Sequence, residues 1–281
     1  MTIRETIKKG MINLKTNGIE EPNLKARLLM QFILNKPRQY LLIYDNQTLS
    51  LRQEVNYFKA IKKIISGVPL QHITHMQEFM KMNFYVDENV LIPRSDTEIL
   101  VEEVINISKK INAKKILDLC TGSGAIAISL AKYIENSEIT AVDISKKALE
   151  IARTNAKNND VENQITFVES DLFKNVKEDK CDVIVSNPPY IKREVIKKLN
   201  KDVQKEPIIA LDGGYDGLDF YRKIINESEK YLKFNGYLCF EIGYDQKEDV
   251  IGIIKNKERY INTYSKKDLY GNDRIIITKL S

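Results

Sequence analysis

Asn187-Pro188-Pro189-Tyr190 is the stretch of this sequence best suited to chemistry. It follows Val183-Ile184-Val185-Ser186, an apolar run that reads as a buried strand. Two consecutive prolines fix backbone angles and carry no N–H donors. The carbonyls of Asn187 and Pro188 can therefore turn into a cleft as free acceptors, and the Asn187 side-chain oxygen adds another. An NH2 group needs two acceptors, one for each hydrogen. Tyr190 supplies an apolar face on which a planar group can stack. A planar amide or amine nitrogen held this way is drawn towards pyramidal geometry, which frees its lone pair for attack. Positioning of this kind can lower a barrier by roughly 7–11 kcal/mol. A purely structural proline turn is the competing explanation. The place of the tetrapeptide, after the fourth strand of a cofactor-binding alternation, argues against it.

The partner for that nitrogen is legible upstream. Ile116-Leu117-Asp118-Leu119 runs into Cys120-Thr121-Gly122-Ser123-Gly124, a strand followed by a glycine turn and then an apolar helix. Gly122 and Gly124 allow backbone to approach a ligand closely. Alone, the pair also fits a strand-to-helix turn with no ligand. Asp143 ends the second strand, where an acid can accept from both ribose hydroxyls. Asp171 follows the third, where it can accept from an adenine amino group while Leu172 packs on the ring. Either acid can instead cap a helix. The dinucleotide fingerprint has a third glycine, which is missing here. Asp118, just before the turn, would attract the ammonium of an amino-acid tail and repel a pyrophosphate. S-adenosyl-L-methionine carries that ammonium and an activated methyl group. The expected donor-binding set is Asp118, Cys120, Thr121, Gly122, Ser123, Gly124, Asp143, Asp171, Leu172 and Asn187. Asn187, Pro188, Pro189 and Tyr190 are the expected catalytic set. No metal site is expected.

These groups need a scaffold. Strand-like runs at Lys115–Leu119, Ile139–Val142, Ile165–Val168, Val183–Ser186, Tyr237–Ile242, Tyr260–Tyr264 and Arg274–Thr278, with helical segments between the first five, predict an α/β fold. Its sheet should be largely parallel and covered on both faces. The last two strands lack a clear helix between them and should pair as an antiparallel hairpin. Residues 78–92 read as a hairpin or linker ribbon, and Thr97 to Lys109 as a helix. Residues 1–75 read as short helices. Ile3, Ile7, Met11 and Leu14 recur at helical spacing, as do Leu24, Leu28 and Phe32 after Pro22. Ser50-Leu51-Arg52-Gln53 is a capping box opening a helix through Val55, Phe58, Ile61 and Ile65, which Gly67 and Pro69 end. Three segments result: helical recognition residues 1–75, a hairpin or linker over 76–93, and a catalytic domain over 94–281.

Bulk properties exclude several classes. The chain has 281 residues and an ordinary globular balance of 43% hydrophobic and 30% charged residues. No run approaches the length of a membrane helix, and the first residues lack a signal peptide's apolar core, so a cytoplasmic protein without membrane partners is expected. Cys120, Cys181 and Cys239 have no metal-type spacing and read as reduced packing thiols. Residues 1–75 carry 12 Lys and Arg against 5 Asp and Glu, net +7, while the remainder is net −2. That asymmetry suits docking to an acidic protein or RNA, and equally a lysine-solvated helical surface.

Across nearly its whole length the sequence resembles the bacterial protein-(glutamine) methyltransferases that modify peptide chain release factors. The likeness is carried by Ile92-Pro93-Arg94-Ser95-Asp96-Thr97-Glu98, the Asp118–Ala125 turn and Asn187–Tyr190. Glu206-Pro207, Ala210-Leu211-Asp212-Gly213-Gly214 and Glu241-Ile242-Gly243 match more weakly. The resemblance implies a seven-stranded Rossmann-like class I methyltransferase domain preceded by a small helical domain that grips the substrate. It implies S-adenosyl-L-methionine as donor. The implied substrate is the glutamine of the Gly-Gly-Gln motif in class I peptide chain release factors, methylated on its side-chain nitrogen. No direct contact with nucleic acid is expected. Cys120 and His75 stand where the family usually has glycine, Ser95 where a second proline is usual, and Leu172 where tryptophan can occur. Arg94, Thr97 and Glu98 can line the cleft, or serve as a linker ion pair and helix cap. A ribosomal-protein glutamine or a nucleobase amino group would present a similar NH2. The net charge of −2 beyond residue 75, without a basic stripe, speaks against nucleic acid. A non-catalytic module binding RNA or the ribosome through the basic helices is the remaining alternative; it predicts no donor binding.

Overall fold

The computed structural model describes residues 1–281. The chain divides into two compact units, Met1–His75 with Asn200–Lys205, and Met76–Leu199 with Glu206–Ser281. The first contains helices α1 (Ile3–Thr16), α2 (Pro22–Leu34), α3 (Arg38–Ile43), α4 (Leu51–Ile65) and α5 (Leu70–Thr74). Capping boxes open two of them: Thr2 with Glu5 at α1, and the expected Ser50 with Gln53 at α4. The core of this unit gathers Ile3, Ile7, Leu14, Ala26, Leu29, Met30, Tyr57, Ile61 and Ile64. The expected apolar face of α2 is displaced. Leu24, Leu28 and Phe32 are 49%, 39% and 43% exposed, and Ala26, Leu29 and Met30 point inward. On α4, Tyr57, Ala60, Ile61 and Ile64 are buried and Val55 is exposed. Helix α2 is apolar around much of its circumference, so spacing alone fits two faces. Packing of α2 against α1 and α4 selects one. The Tyr57 hydroxyl donates to the Ala26 carbonyl at 3.1 Å, which fixes that choice.

In the second unit, β1 (Gln77–Phe79) and β2 (Met82–Phe84) form a hairpin about Met80 and Lys81, both left-handed. The ribbon expected to reach residue 92 stops at Phe84. Beyond it the buried Asn155 side chain replaces a strand partner. Its Oδ1 accepts from the Tyr85 N–H, and its Nδ2 donates to the Tyr85 and Ser123 carbonyls. Helix α6 (Ser95–Ile111) follows, then β3 (Lys115–Leu119), α7 (Ala125–Tyr133), β4 (Glu138–Asp143), α8 (Lys146–Asn158), β5 (Ile165–Glu169) and β6 (Cys181–Ser186). The chain continues through α9 (Arg193–Ile196), α10 (Asp219–Glu227), β7 (Leu232–Glu241), α11 (Lys247–Lys255), β8 (Tyr260–Lys267) and β9 (Asp273–Leu280).

Seven strands form one sheet in the order β5-β4-β3-β6-β7-β9-β8. β3 to β7 are parallel, and β9 runs antiparallel between β7 and β8, so the expected terminal hairpin is present. Central strands read as continuous apolar runs because both faces are covered. One face packs on Leu100 and Val104 of α6 and Ile128 of α7. The other packs on Tyr221 and Ile224 of α10 and Val250 and Ile254 of α11. Strand order reverses between β3 and β6, whose carboxyl ends are joined by a 2.8 Å bond from the Ser186 hydroxyl to the Leu119 carbonyl. A parallel sheet offers its ligand crevice at such a switch point. No helix is long and apolar enough to cross a membrane.

Candidate active site

A cavity of about 230 Å³ opens at that switch point. Its wall includes Cys120 and Gly122 after β3, Asp143 after β4, Asp171 and Leu172 after β5, and Asn187 and Pro189 after β6. Seven of the residues singled out from sequence thus converge from four strand ends. Asp118, Thr121, Ser123, Gly124, Pro188 and Tyr190 lie outside the wall. Gly122 and Gly124 differ accordingly. A Cβ on Gly122 would meet nothing within 4 Å, whereas one on Gly124 would lie 2.8 Å from Ile128 and 3.1 Å from Ala152. The first glycine faces open space; the second lets α7 and α8 pack closely.

Asp118 is fully buried beneath the turn. Its Oδ2 accepts from the Thr121 hydroxyl at 2.6 Å, and its Oδ1 has no hydrogen-bond partner. Burial pushes its pKa up to about 7, with the Thr121 hydroxyl pulling the other way. Asp143 accepts from the Gly122 N–H and the Ser145 N–H, both at 2.8 Å, so it braces the glycine turn as well as bordering the cavity. Burial raises its pKa against those N–H groups. Ser145, not Asp143, caps α8. Asp171 pairs with Lys174 at 2.5 Å.

The carbonyl oxygens of Asn187 and Pro188 accept no hydrogen bond from turn, loop or side-chain donors. The Asn187 Nδ2 donates to the Thr97 hydroxyl oxygen at 3.2 Å, and Thr97 donates to Glu241 Oε2 at 2.5 Å. The Tyr190 hydroxyl donates to the other Glu241 oxygen at 3.2 Å. Of the three Ile-Pro-Arg-region residues noted in the sequence, Thr97 reaches the site. Arg94 pairs with Glu206, and Glu98 accepts from the Met80 N–H in the hairpin turn. The backbone of Tyr190 is clamped from outside: Gln246 donates to its carbonyl at 3.0 Å, and Gly213 lies against its Cα. A Cβ on Gly213 would stand 2.7 Å from Tyr190 Cα and 2.9 Å from the Pro189 carbonyl oxygen. Gly213→Ala is therefore expected to displace the tetrapeptide and slow turnover by about 100-fold, because a shift near 1 Å can cost that much. Steady-state rates measured well below a melting point that the backbone clash should lower would check it.

Sequence reasoning missed Asn89, Val90 and Leu91, which reach the cavity from the loop after the hairpin, and Ile209 and Phe220, which close another side. Glu241 was seen only as a weak family match. A carboxylate ending the apolar run Leu238-Cys239-Phe240 was the available signal. No group of three or more His, Cys, Asp or Glu side chains is arranged to hold a metal.

Residues 95–247 match the Methyltransferase small domain family, and residues 5–74 match the PrmC N-terminal domain family. The chain is 39% identical to the release factor glutamine methyltransferase of Clostridium acetobutylicum, over 99% of this chain and 98% of that one. It is 36% identical to the enzyme of the same name from Moorella thermoacetica, again over 99% and 98%. The chain belongs to the release factor glutamine methyltransferase family. A methyltransferase structure from Pyrococcus furiosus shares the fold with a TM-score of 0.51 at 19% identity, over 82% of this chain and 98% of that one. Two departures of this chain from the family's usual residues now have a physical context. Cys120 and His75, which replace glycines, have φ of 62° and 55°, in the left-handed region that glycine enters without strain. Burial also pushes the Cys120 thiol well above its usual range, so it stays protonated.

Proposed function

We propose that this chain transfers a methyl group from S-adenosyl-L-methionine to the side-chain amide nitrogen of the glutamine in the Gly-Gly-Gln motif of class I peptide chain release factors. The observation that carries this reading is the single cavity shared by Gly122, Asp143, Asp171 and Leu172 on one side and Asn187 and Pro189 on the other. Relatives named for the same activity, alike over nearly the whole chain, support it. Asp143 would accept from the ribose hydroxyls, Asp171 from the adenine amino group, and Leu172 would pack on the ring. Asp118 lies beneath the turn and outside the cavity wall, and the charge of its unpartnered oxygen would reach a donor's ammonium group through that turn. When bound, the donor supplies a methyl group activated on a sulfonium.

The chain's own contribution is orientation. Asn187 Oδ1 and the backbone carbonyls of Asn187 and Pro188 are the acceptors for the glutamine NH2, and the Tyr190 ring is its stacking face. Glu241 is not placed to act as a base, because it is buried outside the cavity wall with its oxygens turned to Thr97 and Tyr190. None is required, since the amide proton can leave after attack. A substrate that works in translation would meet the enzyme in the cytoplasm, with the helical first unit gripping the rest of the factor.

Incubation of purified chain with donor and release factor, followed by mass spectrometry of the Gly-Gly-Gln peptide, should show a gain of one methyl on glutamine. Ribosomal protein and DNA belong in the same assay. Labelling of either in preference to the factor would overturn the substrate assignment, and calorimetry showing no donor binding would overturn the enzyme.

A further inference from the structure

We infer that Glu241, acting through the Thr97 hydroxyl, sets which way the Asn187 side-chain amide faces, so that Oδ1 and not Nδ2 is presented to the substrate nitrogen. The inference deepens the proposed function and rests on the acceptor role given there to Asn187. The two ends of an asparagine amide are nearly equal in size, so shape alone does not orient it; hydrogen-bond partners must. Presented the wrong way round, the group would offer donors to an NH2 that also donates.

A threonine hydroxyl has one proton. Thr97 is buried between Asn187 Nδ2 at 3.2 Å and Glu241 Oε2 at 2.5 Å. An ionised carboxylate only accepts, so the Thr97 proton points to Glu241. The lone pairs of Thr97 that remain can only accept, and the amide must turn its NH2 towards them. A flipped amide would set two oxygens against each other with no hydrogen between them. The other oxygen of Glu241 holds the Tyr190 hydroxyl at 3.2 Å, so one carboxylate orients both ends of the tetrapeptide. Glu241 is a positioning residue in this scheme, and so is Thr97.

The state of Glu241 depends on what packs around it. Arg274 of β9 faces it as a cation and is shared with Asp96 of α6 at 3.4 Å and Asp268 at 3.1 Å. Tyr190 and Thr97 donate to its side chain, and the Tyr221 hydroxyl of α10 donates to its backbone carbonyl. Burial raises the Glu241 pKa; Thr97, Arg274 and Tyr190 oppose the rise, and Asp96 adds to it. Protonation would leave the Thr97 hydroxyl free to donate to the amide instead. The oriented state is therefore present above the Glu241 pKa and is lost as pH falls through it, at a pH raised by burial from the group's ordinary value.

The test pairs the isosteric Thr97→Val with the conservative Thr97→Ser. In a chain labelled with 15N-asparagine, the Asn187 amide signals, assigned by their loss in Asn187→Ala, should exchange slowly with solvent and respond to the titration of a buried carboxylate. Thr97→Val should abolish both properties. In single-turnover methylation of release factor at saturating donor, Thr97→Val should lose about 10- to 100-fold in rate, the scale of one misdirected hydrogen-bonding group. Donor affinity should change less than about twofold, and the acidic limb of the rate profile should vanish. Thr97→Ser should recover most of the rate. An unchanged Asn187 signal in Thr97→Val would overturn the inference. So would a Thr97→Val loss confined to donor affinity. The amide measurement needs no substrate, so a factor left unmethylated by the wild-type chain would sink the proposed function while the NMR result still decided the orientation.

Discussion

Asn187→Ala is expected to slow methyl transfer by about 100- to 1,000-fold, the range seen when one preorganised polar contact to a reacting group is removed. The loss should fall on the single-turnover rate at saturating donor and factor. Little of it should appear as weaker factor binding, because the contact gains strength as the nitrogen turns pyramidal. The side chain also anchors the hydrogen-bond chain through Thr97 to Glu241. Alanine leaves the Thr97 oxygen short of a donor, but the Thr97 proton remains satisfied by the carboxylate. Folding should survive, and a melting curve will show it. Asn187→Asp should be as inactive, since a second carboxylate would be set towards the buried Glu241. An Asn187→Ala enzyme working within about fivefold of wild type would mean that the backbone carbonyls suffice, and the role given to the side chain would fall.

Asp118→Asn should weaken donor binding by about 10- to 100-fold, the effect of removing one partner of a buried charge pair. The pH dependence is the sharper test. Burial holds the Asp118 carboxyl near pKa 7 where an exposed one would be at 3.8. A ligand ammonium favours the ionised form, so binding below about pH 7 must release a proton. Affinity should therefore rise with pH until about 7 and level off above it. Calorimetry in two buffers of different ionisation enthalpy would read the proton directly. Stability of the donor-free chain runs the other way. With the folded pKa above the unfolded one, this group's favourable contribution is present at low pH. It is lost as pH rises from about 4 to about 7, amounting to a few kcal/mol on a scale of 1.36 kcal/mol per unit. Asp118→Asn should remove that slope from urea melts. A variant that kept both wild-type affinity and the wild-type slope would separate Asp118 from the donor.

How much of this was legible beforehand follows from how far apart the interacting residues lie in the chain. The strand-helix alternation, both the glycine turn and the proline tetrapeptide, and the acids after the second and third strands were readable from residues 115–190. Each is specified by neighbours within a few positions: apolar periodicity, turn residues and rigid prolines. The antiparallel terminal hairpin was readable for the same reason. The inward face of α2 was not, because a helix apolar on several sides leaves the choice to its neighbours, and here Tyr57 of α4 makes it by bonding to Ala26. Nor was the loop segment Asn89–Leu91 in the cavity wall, which depends on Asn155 holding Tyr85 from 70 residues away. The acceptors of the tetrapeptide were visible in sequence, but not what aims them. Thr97 and Asn187 are 90 positions apart, and Thr97 and Glu241 are 144. A hydrogen bond has no sequence signature at such range, since only the assembled sheet brings the start of α6 and the end of β7 to the tip of β6.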